Sequence, residues 1–302
     1  MSTQAVSVQG AHWRDYYELT KPRVVMLMIL TSVIGMLLAA PGMVPVSVLL
    51  LGNIGIALCA GAAAAVNHLV DRHVDIKMAR TTNRPVARGR VEPYKALLFA
   101  LVLGLSGMSI LLTFINPLTA WLTLFSLLGY AVVYTMFLKR ATPQNIVIGG
   151  LAGAAPPLLG WTSVTGELHG HGLLLALIIF AWTPPHFWAL AVHRRDDYAK
   201  AEIPMLPITH GVRYTKIHIL LYTFILFAVS LLPFATAMLG WLYLLGAVVL
   251  GAGFVYWAIE MLRDKNPKAG METFKYSIIY LMALFCIMLL DHYLIALPTS
   301  GA

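Results

Sequence analysis

Charged residues are scarce in this chain, and long stretches have none. Only 11% of the 302 residues are charged, whereas 59% are hydrophobic. These uncharged stretches are longer than those in the helices of a soluble domain, because such helices keep a polar face. The composition therefore excludes a soluble globular fold and predicts a membrane protein. The uncharged runs cover residues 24–70, 96–138, 141–166, 168–193 and 217–259.

Cysteine is also scarce. The two cysteines, Cys59 and Cys286, both lie in apolar segments and outside any metal-type spacing. They therefore provide no thiolate metal site, and they say nothing about the redox compartment.

The apolar runs predict nine membrane spans. A helix needs about 20 apolar residues to cross a bilayer, and turn residues such as Pro41-Gly42 and Asn116-Pro117 divide the longest runs where hairpins require it. We expect an all-α polytopic membrane fold in one domain, 1–302, with short flexible tails at about 1–12 and 298–302. The expected spans are 22–40, 46–68, 95–115, 118–138, 145–163, 171–191, 217–236, 240–260 and 276–296.

Lysine and arginine indicate the orientation. With nine spans and a cytoplasmic N-terminus, all 21 basic residues fall on the cytoplasmic side, as the positive-inside rule predicts. We therefore expect an external C-terminus, a cell inner membrane location and no nucleic-acid binding, since the net charge of +8 reflects orientation. The basic segments are Arg14 to Arg23, Arg72 to Lys95, Lys139 and Arg140, Arg194 to Lys216, and Arg263 to Lys275.

Two carboxylates and an amide mark the end of the second span. Asn67, Asp71 and Asp75 stand four residues apart, so in a helix they share one face. Acidic residues contribute little to orientation, so topology does not account for them. We interpret the three residues as a site that binds the metal of a metal-bound polyanion where the span meets water.

A second acidic segment follows the sixth span, at Asp196 and Asp197. Carboxylates that face one another repel unless divalent cations lie among them. Magnesium takes oxygen ligands and leaves positions open for phosphate oxygens, and nearby Arg and Lys bind the rest of a diphosphate. The alternative is a solvated, mixed-charge loop that only orients the protein.

These patterns resemble the UbiA-type superfamily of membrane-embedded aromatic prenyltransferases. The acidic motif, the nine spans and the second acidic loop carry the resemblance, which covers roughly residues 15 to 295. The second acidic loop departs from the family pattern. Many members have two carboxylates four residues apart in this loop, whereas Asp196 and Asp197 are adjacent. Further strings resemble the branch that farnesylates haem, at Tyr134-Thr135, Lys139 to Gly150, Ala154 to Trp161, Trp182 to Trp188 and Asp196 to Pro207.

The resemblance implies a magnesium-dependent enzyme that transfers a farnesyl group from farnesyl diphosphate to a vinyl group of haem b, with addition of water. It implies catalytic residues and magnesium ligands at Asn67, Asp71, Asp75 and one or both of Asp196 and Asp197, of which we prefer Asp197. The product would be haem o for terminal oxidases, so a haem a synthase or an oxidase assembly factor is the implied partner. The implied substrate-binding residues are Arg23, Arg80, Arg84, Lys139, Arg140, Tyr198, Lys200 and His186.

His186 lies inside the sixth span. A histidine at such a position indicates function, and imidazole is a common ligand of haem iron. Alternatively, His186 hydrogen-bonds carbonyls freed by Pro184 and Pro185. Similarly, Trp161, Trp182 and Phe187 either accept a flat macrocycle or only pack the spans. We expect His68 at the interface, either solvated or next to the diphosphate.

Two other functions fit parts of the pattern. A prenyltransferase acting on a quinone precursor would share the metal site, but the strings in spans five and six argue against it. A transporter would place ionisable residues in the middle of the membrane, and the uncharged runs argue against that.

The orientation is testable with reporter fusions. Because all 21 basic residues fall on one side of the nine spans, fusions after Lys95 and Lys216 should report cytoplasmic, and a fusion after Leu297 should report external. A cytoplasmic reporter after Leu297 would require an even number of spans.

Overall fold

The computed structural model describes residues 11–77, 81–200 and 203–295. Within these ranges the chain is helical, without strands, and nine helices are long and apolar enough to cross a membrane. The all-α, nine-span prediction is confirmed. The spans are α2 (Pro22–Ala39), α3 (Val46–Asp75), α4 (Pro93–Phe114), α5 with a π-helical segment (Pro117–Leu128 and Gly129–Leu138), α7 (Asn145–Thr165), α8 (Gly170–His193), α11 (Val212–Ala235), α12 (Trp241–Arg263) and α13 (Ala269–Ile295).

Four short helices precede the first span or lie between spans. All four belong to the same end of the bundle as the basic residues, which we call the basic end. Proline begins several spans at this and the opposite end, as at Pro22, Pro93 and Pro117, where its missing N–H costs no intrahelical bond. The short helices are α1 (Trp13–Leu19), α6 (Lys139–Ala141), α9 (Arg195–Lys200) and α10 (Leu206–Thr209).

Several helices continue past the apolar runs at the basic end. Helix α3 was expected to end at residue 68 but runs to Asp75, and α11 and α13 begin several residues before the predicted positions 217 and 276. Hydropathy marks only the part of a helix that suits hydrocarbon, whereas the backbone hydrogen bonds continue into the polar interface. The extension of α3 places the whole acidic motif on one helix.

The fourth span changes its helical register. After Leu128 the backbone becomes π-helical from Gly129 to Leu138, and Thr135 Oγ1 donates to the carbonyl of Tyr130, five residues earlier, at 2.7 Å. The π-helical turns redirect the side chains that follow. They turn Thr135 toward α3, as described below.

Helices α2 and α7 approach closely through glycine. A Cβ atom on Gly160 would lie 2.0 Å from the carbonyl oxygen of Ser32, and one on Gly35 would lie 2.1 Å from the carbonyl oxygen of Pro157. Small residues allow such backbone contact between spans, where packing rather than the hydrophobic effect drives association. This contact fixes α2, which begins next to the candidate site.

Gly160→Ala should therefore destabilise the folded protein by about 1–3 kcal/mol, because the added methyl group is forced into space that the backbone of α2 already fills. Gly153→Ala, on the same helix, is the matched control. A Cβ atom added at Gly153 would meet no neighbouring atom within 4 Å. The thermal midpoint in detergent should fall for the first variant and hold or rise for the second. Equal midpoints would mean that the α2–α7 contact relaxes at no cost.

Candidate active site

The acidic motif forms a buried polar strip at the end of α3. Asn67, Asp71 and Asp75 are 3%, 0% and 3% exposed. Asn67 Nδ2 donates to Asp71 Oδ2 at 2.8 Å, as the four-residue spacing allows. The prediction that the three share one face is confirmed, and burial makes their charge dependent on the side chains around them.

Two cations contact the carboxylates directly. Lys139 Nζ lies 2.5 Å from Asp71 Oδ2, and Arg84 Nη1 lies 2.8 Å from both carboxylate oxygens of Asp75. Both cations were predicted as site residues, and the structure brings both to the motif.

The segment after α3 holds Arg84 in place. Thr81 Oγ1 donates to the carbonyl of Asp75 at 3.0 Å, and Arg84 N donates to the carbonyl of Thr81 at 3.0 Å. The following residues return toward α1, where Arg90 forms an ion pair with Asp15 at 2.7 Å. The turn and the ion pair together point Arg84 back at α3.

Lys21 is a third cation at the motif, and it was not among the predicted site residues. It joins α1 to α2 with a left-handed backbone, φ 51°. Its ammonium donates to Asn67 Oδ1 and lies 3.5 Å from the hydroxyl of Tyr130. Burial, together with the positive charges of Arg84 and Lys139, lowers the pKa of Lys21 to about 7. A positive charge that is this poorly solvated favours the arrival of an anion.

The π-helical segment supplies neutral partners that were also missed. Asn67 Nδ2 donates to Thr135 Oγ1 at 3.3 Å, which fixes the amide with its oxygen toward Lys21. Tyr130 and Tyr134 stack with ring centroids 5.5 Å apart. Nothing in an uncharged run marks these positions, apart from Tyr134-Thr135 lying in one of the strings that resemble the haem branch.

Several buried polar atoms in this strip lack partners within the described residues. They are Asp71 Oδ1 and both ring nitrogens of His68, and His68 is only 2% exposed. Of the two alternatives for His68, the solvated one is therefore wrong, and a position next to the diphosphate stays a prediction. A partnerless oxygen on a buried carboxylate, one helical turn from a second carboxylate, fits a hard cation, since magnesium prefers oxygen ligands.

The second acidic segment lies on α9, close to the end of α3. Asp196 is exposed and Asp197 half-buried, while Tyr198 is buried in an apolar cluster against which Val74 of α3 packs. Packing thus brings the two acidic segments to the same region of the basic end. Even so, the described residues contain no group of three or more His, Cys, Asp or Glu side chains that could hold a metal.

The other predicted diphosphate contacts are more peripheral. Arg23 is exposed on the first turn of α2, and Lys200 is exposed at the end of α9. Arg80 lies outside the described residues, as does the side chain of Arg140.

His186 is buried away from this polar strip. Its ring is 7% exposed and stacks between Trp182, at 4.1 Å between centroids, and Phe274, at 4.5 Å. Nδ1 contacts Ser277 Oγ of α13 at 2.6 Å. The structure therefore does not contain the alternative arrangement, in which the imidazole hydrogen-bonds carbonyls freed by Pro184 and Pro185.

The three aromatic residues expected near a macrocycle lie in different surroundings. Trp182 contacts His186, whereas Phe187 is 41% exposed. Trp161 packs at the opposite end of the bundle, where its ring stacks on His169 with centroids 5.8 Å apart. Phe187 also meets the His186 ring edge-on, with centroids 4.9 Å apart, so Trp161 is the one of the three that does not contact His186.

Sequence comparison identifies close relatives. The profile of the UbiA prenyltransferase family matches residues 28–287. A protoheme IX farnesyltransferase of Saccharophagus degradans is 74% identical over 290 residues, which cover 96% of this chain and 95% of the relative. The enzyme of the same name from Teredinibacter turnerae is 72% identical over 300 residues, 99% of this chain and 96% of the relative.

Solved structures share the fold at low identity. A structure described as digeranylgeranylglyceryl phosphate synthase matches with a TM-score of 0.79 and 18% identity over 92% of this chain and 98% of that chain. A UbiA homologue from Archaeoglobus fulgidus bound to GPP and Mg²⁺ matches with a TM-score of 0.61 and 14% identity over 91% of this chain and 99% of that chain.

Proposed function

The chain belongs to the UbiA prenyltransferase family, and we propose that it transfers a farnesyl group from farnesyl diphosphate to a vinyl group of haem b. Water adds in the same reaction and the product is haem o. The observation that carries this assignment is the 74% identity to a protoheme IX farnesyltransferase over 96% of the chain. A quinone-precursor prenyltransferase would share the fold, but relatives of 67–74% identity carry the haem name.

The polar strip on α3 binds the diphosphate. Three cations, Lys21, Arg84 and Lys139, face the two carboxylates of the motif, so the strip carries an excess of positive charge that suits a polyanion. Arg84 and Lys139 neutralise the phosphate oxygens, and Lys21 is held between Asn67 and Tyr130 to do the same.

Magnesium is the metal that this donor set fits, with Asn67, Asp71, Asp75 and Asp197 as its ligands. When bound, it stabilises negative charge on the leaving diphosphate. The partnerless Oδ1 of Asp71 supports this placement, as does the magnesium in the Archaeoglobus fulgidus homologue. Asp197 is preferred over Asp196 because it is half-buried whereas Asp196 is exposed.

The reaction breaks the bond between C1 of the farnesyl chain and the diphosphate oxygen. The resulting allylic cation is attacked by the electrons of the vinyl group, which forms a carbon–carbon bond and leaves a carbocation beside the macrocycle. Water captures that carbocation and loses a proton, so the haem side chain becomes a hydroxyethylfarnesyl group. The protein contributes charge stabilisation and orientation.

The haem contacts the aromatic cluster of α8 and α13. His186 and Trp182 provide an imidazole and an indole in an apolar setting, and imidazole is a common iron ligand. The distribution of basic residues supports an inner-membrane protein whose diphosphate site faces the cytoplasm. The lipid bilayer then delivers both substrates, and a haem a synthase or an oxidase assembly factor accepts the product.

Asp71→Asn and Asp75→Asn should each lower turnover by about 100-fold or more, because each removes a charge that the metal and the cations depend on. Both proteins should still fold in the membrane. Asp264→Asn is the matched control: it makes the same change at an exposed position whose left-handed backbone, φ 59°, asparagine tolerates. Near-normal turnover of Asp71→Asn with magnesium present would refute the site.

Purified enzyme given magnesium, farnesyl diphosphate and haem b should produce a more hydrophobic haem, heavier by one farnesyl group and one water, in mass spectrometry. His186→Ala should weaken haem binding more than diphosphate binding. If 4-hydroxybenzoate is prenylated and haem is left unchanged, the family assignment stands and the haem assignment is wrong.

A further inference from the structure

Ser277 of α13 contacts Trp182 and His186 of α8. Its carbonyl accepts from Trp182 Nε1 at 2.7 Å, and its hydroxyl lies 2.6 Å from His186 Nδ1. The hydroxyl also lies 2.6 Å from the carbonyl oxygen of Phe274. One residue thus connects the indole and the imidazole of α8 to the backbone of its own helix, α13.

The directions of these hydrogen bonds follow from the available protons. The carbonyl of Phe274 can only accept, so the single hydroxyl proton of Ser277 lies in that bond. The contact between Ser277 Oγ and His186 Nδ1 must then use a proton on Nδ1. Since a neutral imidazole carries one proton, Nε2 is left with a free lone pair.

The surrounding rings fix the plane of the imidazole. Trp182 and Phe274 cover its two faces, with interplanar angles of 21° and 27°, and Phe187 meets it nearly at right angles, 84°. Rotation of the ring is blocked by these contacts, and Nδ1 is held by Ser277. The edge that carries Nε2 is therefore presented in one direction only.

We infer that Ser277 is a positioning residue for the acceptor: it fixes His186 as the Nδ1–H tautomer, so that Nε2 meets the iron of the haem substrate. This rests on the proposed function. Histidines that bind metals usually donate their second ring N–H to a neighbouring acceptor, which sets the tautomer and the ring orientation. Ser277 supplies that acceptor here, and its own proton is committed to Phe274.

The test compares haem b binding by the purified enzyme and its Ser277→Ala and Ser277→Thr variants, followed by absorbance. Ser277→Ala should raise the Kd for haem b by about 10-fold or more, as loss of such a partner does, and shift the Soret band toward that of His186→Ala. Ser277→Thr keeps the hydroxyl and should restore both. The Kd for farnesyl diphosphate with magnesium should stay within about twofold of the parent protein, because that site lies on α3.

Ser230→Ala is the matched control for loss of a buried hydroxyl. Ser230 is also 0% exposed, but its hydroxyl contacts Tyr280 rather than an imidazole. This variant should leave haem binding unchanged. Thermal midpoints of all variants establish that the folded proteins are being compared.

The outcomes separate this inference from the proposed function. If His186→Ala weakens haem binding while Ser277→Ala does not, or if Ser277→Thr binds as poorly as a well-folded Ser277→Ala, the positioning role is refuted and the enzyme assignment stands. If the parent enzyme converts haem b to the heavier product but His186→Ala binds haem normally, the iron contact is refuted together with the role of Ser277. If the parent enzyme does not convert haem b at all, the proposed function itself fails.

Discussion

Two buried carboxylates at the end of α3 are the constraint on which the basic end of this protein depends. Asp71 and Asp75 are almost fully enclosed, and removing a carboxylate from water costs several kcal/mol unless a partner compensates. Lys139 and Arg84 provide that compensation at 2.5 and 2.8 Å. The surrounding elements can be understood as the means of bringing cations to one strip of one helix.

Each cation comes from a different part of the chain. Lys21 lies at the junction of α1 and α2, Arg84 in the turn after α3, and Lys139 directly after the π-helical segment. The glycine contact between α2 and α7 then matters for chemistry as well as packing, because it fixes the helix that begins next to Lys21. Asn145 adds a further link, since its Nδ2 donates to the carbonyl of Lys139 at 3.0 Å and ties the start of α7 to that lysine.

Hydropathy and spacing could predict the spans and the acidic motif, because both depend on local pattern. The contribution of Lys21 could not be predicted in this way. It stands in a basic segment whose charge already has a sufficient reason in membrane orientation, and only the fold shows its ammonium at Asn67. The contact of Thr135 with Asn67 is harder still to predict, because no residue in its uncharged run indicates a π-helical register. The burial of His68 depended on how far α3 continues, which hydropathy does not measure.

The two halves of the proposed chemistry rest on different physical bases. The diphosphate half uses charges whose balance shifts when an anion arrives, and its lysines and arginine come from turns and helix ends. The acceptor half uses neutral groups inside α8 and α13, where stacking and committed hydrogen bonds hold His186 in one orientation. A reaction that begins by expelling an anion and passes through a carbocation beside a macrocycle is served by this division between charged and neutral side chains. Cations next to the macrocycle would destabilise the carbocation that forms there, whereas an apolar aromatic cluster does not oppose it.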